Sequence, residues 1–404
     1  MLLTVKRKSA ALALASGPNE RLKAARSGRA GPIEDDFRNV TDKRRTKATI
    51  AEVAKLAGVS TASAGRVLGG YGYSSEEIRL KVRQSAERLG YRPNLLARGL
   101  ITGKTKTIGV VAGDIQSPFY STILRGISDE ARLEGFGVLV TNSDEILARE
   151  LESVRLLLEK RVDGLIVAPC DTDRADHLRR AVKEGVPVVQ LDRVVEGLEA
   201  GGVTVNNREA SRHAVASLIS AGHRRIGIVA ELERWRSGDV ETFVVGVTKG
   251  TISANGLFPS WQRLFGYLEA HLAAGLAVDQ KLVARVGAYS LAAARRTSRE
   301  LLTGPGRPTA LFTADGLISA GAIDAIADLG IAIPDDLSVI GFDDLDWMSF
   351  SKPGITAVAQ PLAEMGQATA RLMLDSLASG EPPRDHLVLQ STLIWRGSVL
   401  PLGA

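Results

Sequence analysis

Four apolar runs in this 404-residue chain end on charged side chains. TIGVVA (107–112) leads to Asp114, VPVVQLD (186–192) to Asp192 and Arg193, TALFTA (309–314) to Asp315, and LSVIGFDD (337–344) closes on Asp343 and Asp344. GVLVT (137–141), DGLIVAP (163–169) and RRIGIVA (224–230) have the same texture. Near-continuous apolar runs are strands buried on both faces, hence parallel sheets covered by helices. Two such sets imply two doubly wound lobes, and ligands in such folds sit outside the carboxyl ends of the strands. The six charged residues are therefore candidates for binding a ligand.

Catalysis is poorly supported by the same positions. The first strand ends VAGDIQSPF, which offers no GxGxxG, no GxxxxGK[ST] and no nucleophile beside a base. The five histidines are scattered, and Cys170 is the only cysteine. That composition excludes an internal disulfide and a multi-cysteine zinc site, fits a reducing cytoplasm, and leads us to expect no enzyme activity, metal or cofactor.

A second kind of chemistry is suggested by charge. The formal net charge of +5 divides unevenly: residues 1–46 carry +6, residues 47–106 carry +7, and the remainder carries −8. A basic first quarter on an acidic body points to a polyanionic partner, since phosphate neutralisation dominates nucleic-acid affinity. Residues 1–46 read as a disordered basic tail. Lys6-Arg7-Lys8 followed by SAALALASG imitates a secretion signal with too short an apolar part, and a translation start near Val40 is the other reading of this tail. No apolar run approaches the roughly 20 residues needed to span a bilayer.

Within the basic region, Ile50, Val53, Ala54 and Ala57 form a helical stripe that Gly58 ends. Ser60 is placed to cap a second helix through Leu68, with Val67 and Leu68 turned inward. A third helix is expected from Ser74, with Ser74 and Glu77 as a capping box, running through Ile78, Val82, Ala86 and Leu89 before Pro93 breaks it. This is a helix-turn-helix order, with 47–93 as its domain. The small residues of GVSTASAGRVLGG (58–70) pare down one helix surface for close approach. No strand feeds this stretch and no lysine follows its glycines, so it is not a phosphate loop. Residues 231–260 interrupt the strand–helix alternation for longer than usual connections, at the end of a strand and thus at a cleft rim or on a tolerated surface excursion.

ATIAEVAKLAGVSTASAGRVL (48–68), GYRPNLLARGL (90–100), SPFYSTILRGI (117–127), VDGLIVAP, VPVVQLDR, GHRRIGIV, RLFGYLEAHL (263–272), PDDLSVIGFDD and ITAVAQP together resemble the LacI/GalR family of bacterial transcription repressors. The resemblance runs from about 47 to 398 and leaves out the tail and 231–260. It implies an all-α helix-turn-helix domain joined by a hinge helix (94–106 with its linker) to an α/β core of two doubly wound lobes, like periplasmic sugar-binding proteins. The core, 107–404, would divide into an N-lobe of about 107–204 and 360–388 and a C-lobe of about 205–359 and 389–398. The family implies a cytoplasmic homodimer on operator DNA, controlled allosterically by a small effector, expected to be a sugar.

By the family's motif, Thr61, Ala62 and Arg66 face base edges, Ser60 and Ser63 reach phosphates, and Asn94, Arg98 and Leu100 belong to the hinge, with Leu100 as the minor-groove wedge. Effector positions map onto Phe119, Tyr120, Asp192, Arg193, Arg263, Tyr289, Asp315 and Asp343. That set suits a polyol, because carboxylates accept from vicinal hydroxyls, Arg donates a fork and aromatic faces cover C–H patches. Gly65 and Gly99 replace a serine and a polar residue common in the family, and Asp315-Gly316 stand where sugar-binding relatives usually have Asn-Asp. The alternative reading is a sugar-binding protein, exported or cytosolic, with no role on DNA. It would leave residues 47–100 without a purpose.

Overall fold

The computed structural model describes residues 48–91, 104–232 and 238–402. The tail expected over 1–46 and the hinge residues Asn94, Arg98, Gly99 and Leu100 lie outside them. The chain divides into two compact units, 1–93 and 94–404.

In the first unit, α1 (Ile50–Ala57), α2 (Thr61–Gly69) and α3 (Glu76–Arg88) pack around Val53, Ala54, Ala64, Val82 and Ala86. Thr49 and Glu52 form a reciprocal capping box at the start of α1. Gly58, left-handed at φ 65°, ends it. Ser60 caps α2 by accepting from the Ser63 amide at 3.1 Å, and Val67 and Leu68 pack on the core as expected. The capping box expected at Ser74 does not form. Ser75 caps α3, accepting from the Ile78 amide, while Glu77 pairs with Lys81 at 2.7 Å. The shift puts both Glu76 and Glu77 in the first turn, where the helix dipole favours carboxylates.

The second unit alternates strands and helices: β1 (Thr107–Ala112), α4 (Pro118–Leu133), β2 (Gly137–Asn142), α5 (Leu147–Glu159), β3 (Gly164–Val167), α6 (Asp176–Lys183), β4 (Val188–Leu191) and β5 (Gly201–Val205). Next come α7 (Asn207–Ser220), β6 (Ile226–Ala230), α8 (Val240–Thr248), α9 (Pro259–Ala273), β7 (Val283–Arg285), α10 (Leu291–Thr303), β8 (Ala310–Thr313), α11 (Gly316–Asp328) and β9 (Ser338–Phe342). The last elements are α12 (Asp346–Phe350), β10 (Thr356–Ala359), α13 (Leu362–Ser379), β11 (His386–Leu389) and β12 (Thr392–Ile394).

Two six-stranded sheets result, ordered β11-β5-β4-β3-β1-β2 and β12-β10-β9-β8-β6-β7. All pairings are parallel except β10 with β12. All seven runs read as strands form strands; β5, β7, β10, β11 and β12 are additions whose short or glycine-bearing sequences carry little apolar signal. The inner strands β1, β3, β4, β6, β8 and β9 are buried on both faces, whereas β2, expected to be buried as well, lies at the edge of its sheet and leaves Leu139 and Val140 exposed. Ile108 and Val110 pack with Met365 and Met373 on one side of β1, while Val111 packs with Val167 and Leu178 on the other. In the second sheet Ile228 and Phe312 lie with Trp261 and Tyr267, and Val229 and Leu311 with Ile318 and Ile326. Full burial of each such side chain contributes about 1.5–3 kcal/mol.

Two glycines let helices touch backbone to backbone. A Cβ on Gly126 of α4 would sit 2.7 Å from the Ala363 carbonyl of α13, and one on Gly266 of α9 would sit 2.1 Å from the Arg208 carbonyl of α7. The chain passes from one sheet to the other through Asn206, through Gln360-Pro361 and through Gln390-Ser391. These three crossovers bring the carboxyl ends of both sheets to one cleft. The interruption at 231–260 holds α8 and brings Phe258, Pro259 and Ser260 to that cleft.

Candidate functional site

Asp192 follows β4 and Asp343 follows β9, the fourth-formed strand of each sheet. Both have φ 67°, a left-handed conformation that is uncommon outside glycine and clusters at functional sites. Their carboxylates are buried and turned to the same cavity. The cavity is about 90 Å³, room for about half a dozen waters and so for one small ligand.

All eight effector residues expected from the sequence line it: Phe119, Tyr120, Asp192, Arg193, Arg263, Tyr289, Asp315 and Asp343. Of the strand-end candidates, Asp114 lines it too. Asp344 does not; its carboxylate takes a two-point bond from Arg396, at 2.6 and 2.9 Å, and so ties the end of β9 to the segment after β12.

On the first sheet's side, Arg193 donates both terminal nitrogens to Glu145 and a further bond to the Pro169 carbonyl at 3.1 Å. Tyr120 donates its hydroxyl to the same Glu145 at 3.0 Å, and its ring meets Phe119 edge to face. Burial pushes the Tyr120 phenol well above its ordinary range, so it stays a donor. Arg193 also stacks on Phe258, 4.9 Å from the ring centre, which joins the two sides of the cleft. Burial raises the Asp192 carboxyl, against the pull of Arg193 and Arg263.

On the other side, Asp315 caps α11 by accepting from the Leu317 amide at 2.8 Å. Asp343 accepts from the Gly316 amide at 3.0 Å and from the Gln360 side chain. Arg263, almost fully buried in α9, donates to Asn207 at 2.8 Å and to the Ala314 carbonyl at 2.7 Å, lies 3.8 Å from the Phe342 ring centre, and comes no nearer than 3.9 Å to Asp315. Burial first, and the neighbouring Asp343 second, push the Asp315 carboxyl up to about 7. Tyr289 reaches toward both Asp315 and Ser117.

Several lining residues had no mark in the sequence reading: Ser117, Glu145, Glu231, Phe258 and Gln360. Glu145 follows β2 and Gln360 follows β10, so the rule that found Asp192 would have reached them. NSDE after GVLVT carries the same strand-end signal, whereas β10 is only the four residues TAVA and has too little apolar length to stand out as a strand.

In the first unit, Thr61, Ala62 and Arg66 are exposed along α2 while Ala64 is its buried anchor. Ser60 and Ser63 share a hydroxyl contact of 2.9 Å, and Arg66 donates to the Ser63 hydroxyl at 3.3 Å. The Arg66 stem passes over Gly72, where a Cβ would come within 3.2 Å of it. A helix face of small side chains carrying one guanidinium is thus presented outward. Among the described residues no cluster is placed to hold a metal ion and no helix is long and apolar enough to cross a membrane.

Residues 49–94 match the model of bacterial regulatory proteins, lacI family, and residues 215–399 that of a periplasmic binding protein-like domain. The chain is 33% identical to catabolite control protein A of Priestia megaterium over 325 residues, 80% of this chain and 91% of that one. It is 30% identical to the transcriptional repressor CytR of Escherichia coli over 364 residues, 89% of this chain and 98% of that one. A solved complex of the transcriptional regulator CelR with cellobiose covers 87% of this chain and all of its own, at 27% identity and a TM-score of 0.61. With a helix-turn-helix unit, two parallel-stranded sheets and relatives of this extent, the chain belongs to the lacI family of bacterial regulatory proteins.

Proposed function

We propose that this chain is a cytoplasmic, sequence-specific transcriptional repressor that binds a near-palindromic operator as a homodimer, and that a small polyol, a sugar, in the cleft sets its operator affinity. In this reading 47–93 is the DNA-binding domain and 94–106 the hinge. The core divides into lobes of about 107–204 with 360–388 and of about 205–359 with 389–398. Thr61, Ala62 and Arg66 read bases, Ser60 and Ser63 hold phosphates, and Asn94, Arg98 and Leu100 act at the hinge.

The observation that carries the effector assignment is convergence: Asp192 and Arg193 from one sheet and Arg263, Asp315 and Asp343 from the other line a single cavity. Carboxylates, guanidinium edges and the rings of Phe119, Tyr120 and Tyr289 are the equipment that hydroxyls and C–H faces require. A ligand touching both sides at once favours one lobe arrangement, and that differential affinity is what changes operator binding, by a typical 1–3 kcal/mol.

Titration of labelled promoter DNA from the regulator's own locus, at fixed salt and with a sugar library, tests this. Salt-dependent binding that one sugar shifts about 5- to 150-fold is expected. Absence of DNA binding, with sugar binding intact, would turn the reading to a sugar-binding protein without a role on DNA. Conversion of the sugar, seen by NMR, would make it an enzyme.

A further inference from the structure

One side chain on the surface of α2 comes from outside the helix. The Gly70 amide donates to the Val67 carbonyl at 3.3 Å and the Tyr71 amide to the Arg66 carbonyl at 3.1 Å, which closes α2 in a left-handed turn at Gly70, φ 73°. That turn sends the Tyr71 ring back along the helix. The ring lies over Gly69, where an added Cβ would come within 2.3 Å of its Cε1. Its hydroxyl reaches Gly65 one turn earlier, 3.6 Å from where a Cβ would stand. Any side chain at 69 would displace the ring, so the seat depends on glycine there. Tyr71 is nevertheless 42% exposed, a surface residue and not part of the core around Ala64.

The side of α2 on which that hydroxyl lies gives it a role. At about 3.6 residues per turn, Thr61, Gly65 and Gly69 share one row, Ala62 and Arg66 the next, and Ser63 lies beyond them on the other flank. A helix in the major groove turns its outermost row to the bases and its flanks toward the phosphates of the groove walls. Ala62 and Arg66 are that outermost row, exposed with Ala64 buried behind them. One flank carries the hydroxyls of Ser60 and Ser63, 2.9 Å apart. The other has glycine at 65 and 69, so beyond Thr61 the helix supplies no polar side chain there. Tyr71 brings one to that flank, and a tyrosine hydroxyl is a phosphate donor.

Resting on the reading of α2 as the helix that enters the major groove, we infer that Tyr71 is a DNA-contact residue. Its hydroxyl donates to a backbone phosphate on the flank of α2 opposite Ser63, and so fixes the seating of the helix without reading sequence. Gly69 is the positioning residue that leaves room for it.

The full chain selects its operator from a random-sequence DNA pool. Wild type, Tyr71→Phe and Gly69→Ala are then titrated on that operator at several salt concentrations, and on operators changed at single base pairs. Tyr71→Phe keeps the ring and removes only the hydroxyl, whereas Gly69→Ala pushes the ring off its seat. Each should weaken binding by about tenfold, the scale of a hydrogen bond to a charged group. The factor should be the same on every sequence, the salt slope unchanged because no cation is lost, and the two changes together no worse than one. Replacing single operator phosphates by methylphosphonates should reveal one position per half-site that costs wild type more than it costs Tyr71→Phe. Wild-type affinity in Tyr71→Phe, with an unchanged urea midpoint, overturns the inference and makes the ring a packing element alone. An altered preference at one base pair makes Tyr71 a base reader and overturns the phosphate assignment. If Tyr71→Phe does not fold, the same readings on Gly69→Ala decide. A pool that yields no bound sequence overturns the reading of α2 together with the inference.

Discussion

Asp192 and Asp343 are structural counterparts: each ends the equivalent strand of its sheet, each is left-handed at φ 67°, and each faces the other's lobe across one cavity. The strain each backbone carries costs on the order of 1–3 kcal/mol and persists because it aims a carboxylate into the cleft. Their successors diverge. Arg193 turns inward to Glu145, whereas Asp344 turns away to Arg396. Replacing Asp192 or Asp343 by Asn is expected to abolish most effector response while leaving operator binding in its absence within a few fold, checked by the same DNA titration with and without effector.

Arg66 is the only long cation on the outward face of α2. Arg66→Ala is expected to cost about 1–3 kcal/mol on the preferred operator and to relax preference at one base pair per half-site. Competition titrations against operators changed at single positions report this. A uniform loss over all sequences, with the salt slope reduced by about one, would make Arg66 a phosphate contact instead.

Gly65 has room for a side chain: an added Cβ would meet the Tyr71 hydroxyl at 3.6 Å and Ile50 Cδ1 at 3.7 Å, ordinary contact distances. Gly65→Ala should therefore stabilise the helix-turn-helix unit by about 0.5–1 kcal/mol through reduced backbone entropy. A urea melt of this unit followed by circular dichroism measures it. A lowered midpoint would show that glycine is needed there for more than helix geometry.

Gly266 is the opposite case. Its missing Cβ lies 2.1 Å from the Arg208 carbonyl, a backbone atom that cannot swing away. Gly266→Ala should force α9 and α7 apart and destabilise the core by about 1–3 kcal/mol or more, read as a lower midpoint in urea unfolding with the first unit unaffected.

Two buried groups give opposite pH signatures. Asp315 is raised to about 7, so its neutral form is the one the fold prefers; that contribution is present at low pH and is lost as pH rises from 3.8 through 7. Asp315→Asn should thus gain on the wild type in Tm between pH 5 and 8, by about 2 °C or more for each kcal/mol. His223, held between Thr309, Ser338 and the Leu400 carbonyl, is lowered from 6.5 by burial. The unfolded chain then takes up the proton first, and stability falls as pH drops below about 6.5. Thermal melts of wild type, Asp315→Asn and His223→Gln across pH 5–8 separate the two, since only the histidine variant should flatten the acid side.

The legible part of the molecule was the part written in local pattern. β1, β3, β4, β6, β8 and β9 are each short runs of apolar residues whose two-sided burial follows from having no polar face, and the polar residues after them had to emerge at the strand ends. Ser60 and Gly58 announced where α2 begins and α1 stops for the same reason, since each acts on backbone groups within a few residues. The cap of α3 falls on Ser75 rather than on the expected Ser74, because two adjacent serines are equivalent to that local logic and the folded chain brings the Ser75 hydroxyl to the Ile78 amide.

Sequence alone determined that this chain builds helix-covered parallel sheets, sets a small-residue helix in a basic segment, and ends its strands in carboxylates. What tertiary structure decided is which of those ends meet. Asp344 and Asp343 are neighbours in the chain, yet one is framework and the other cleft, because β9 turns one toward Arg396 and the other toward Gln360. Glu145 lies 48 residues from Arg193 and becomes its partner only when β2 and β4 are laid into the same sheet. The proton on Asp315 belongs to that same level, for burial and the nearness of Asp343 depend on distances across the fold, and no spacing along the chain encodes them.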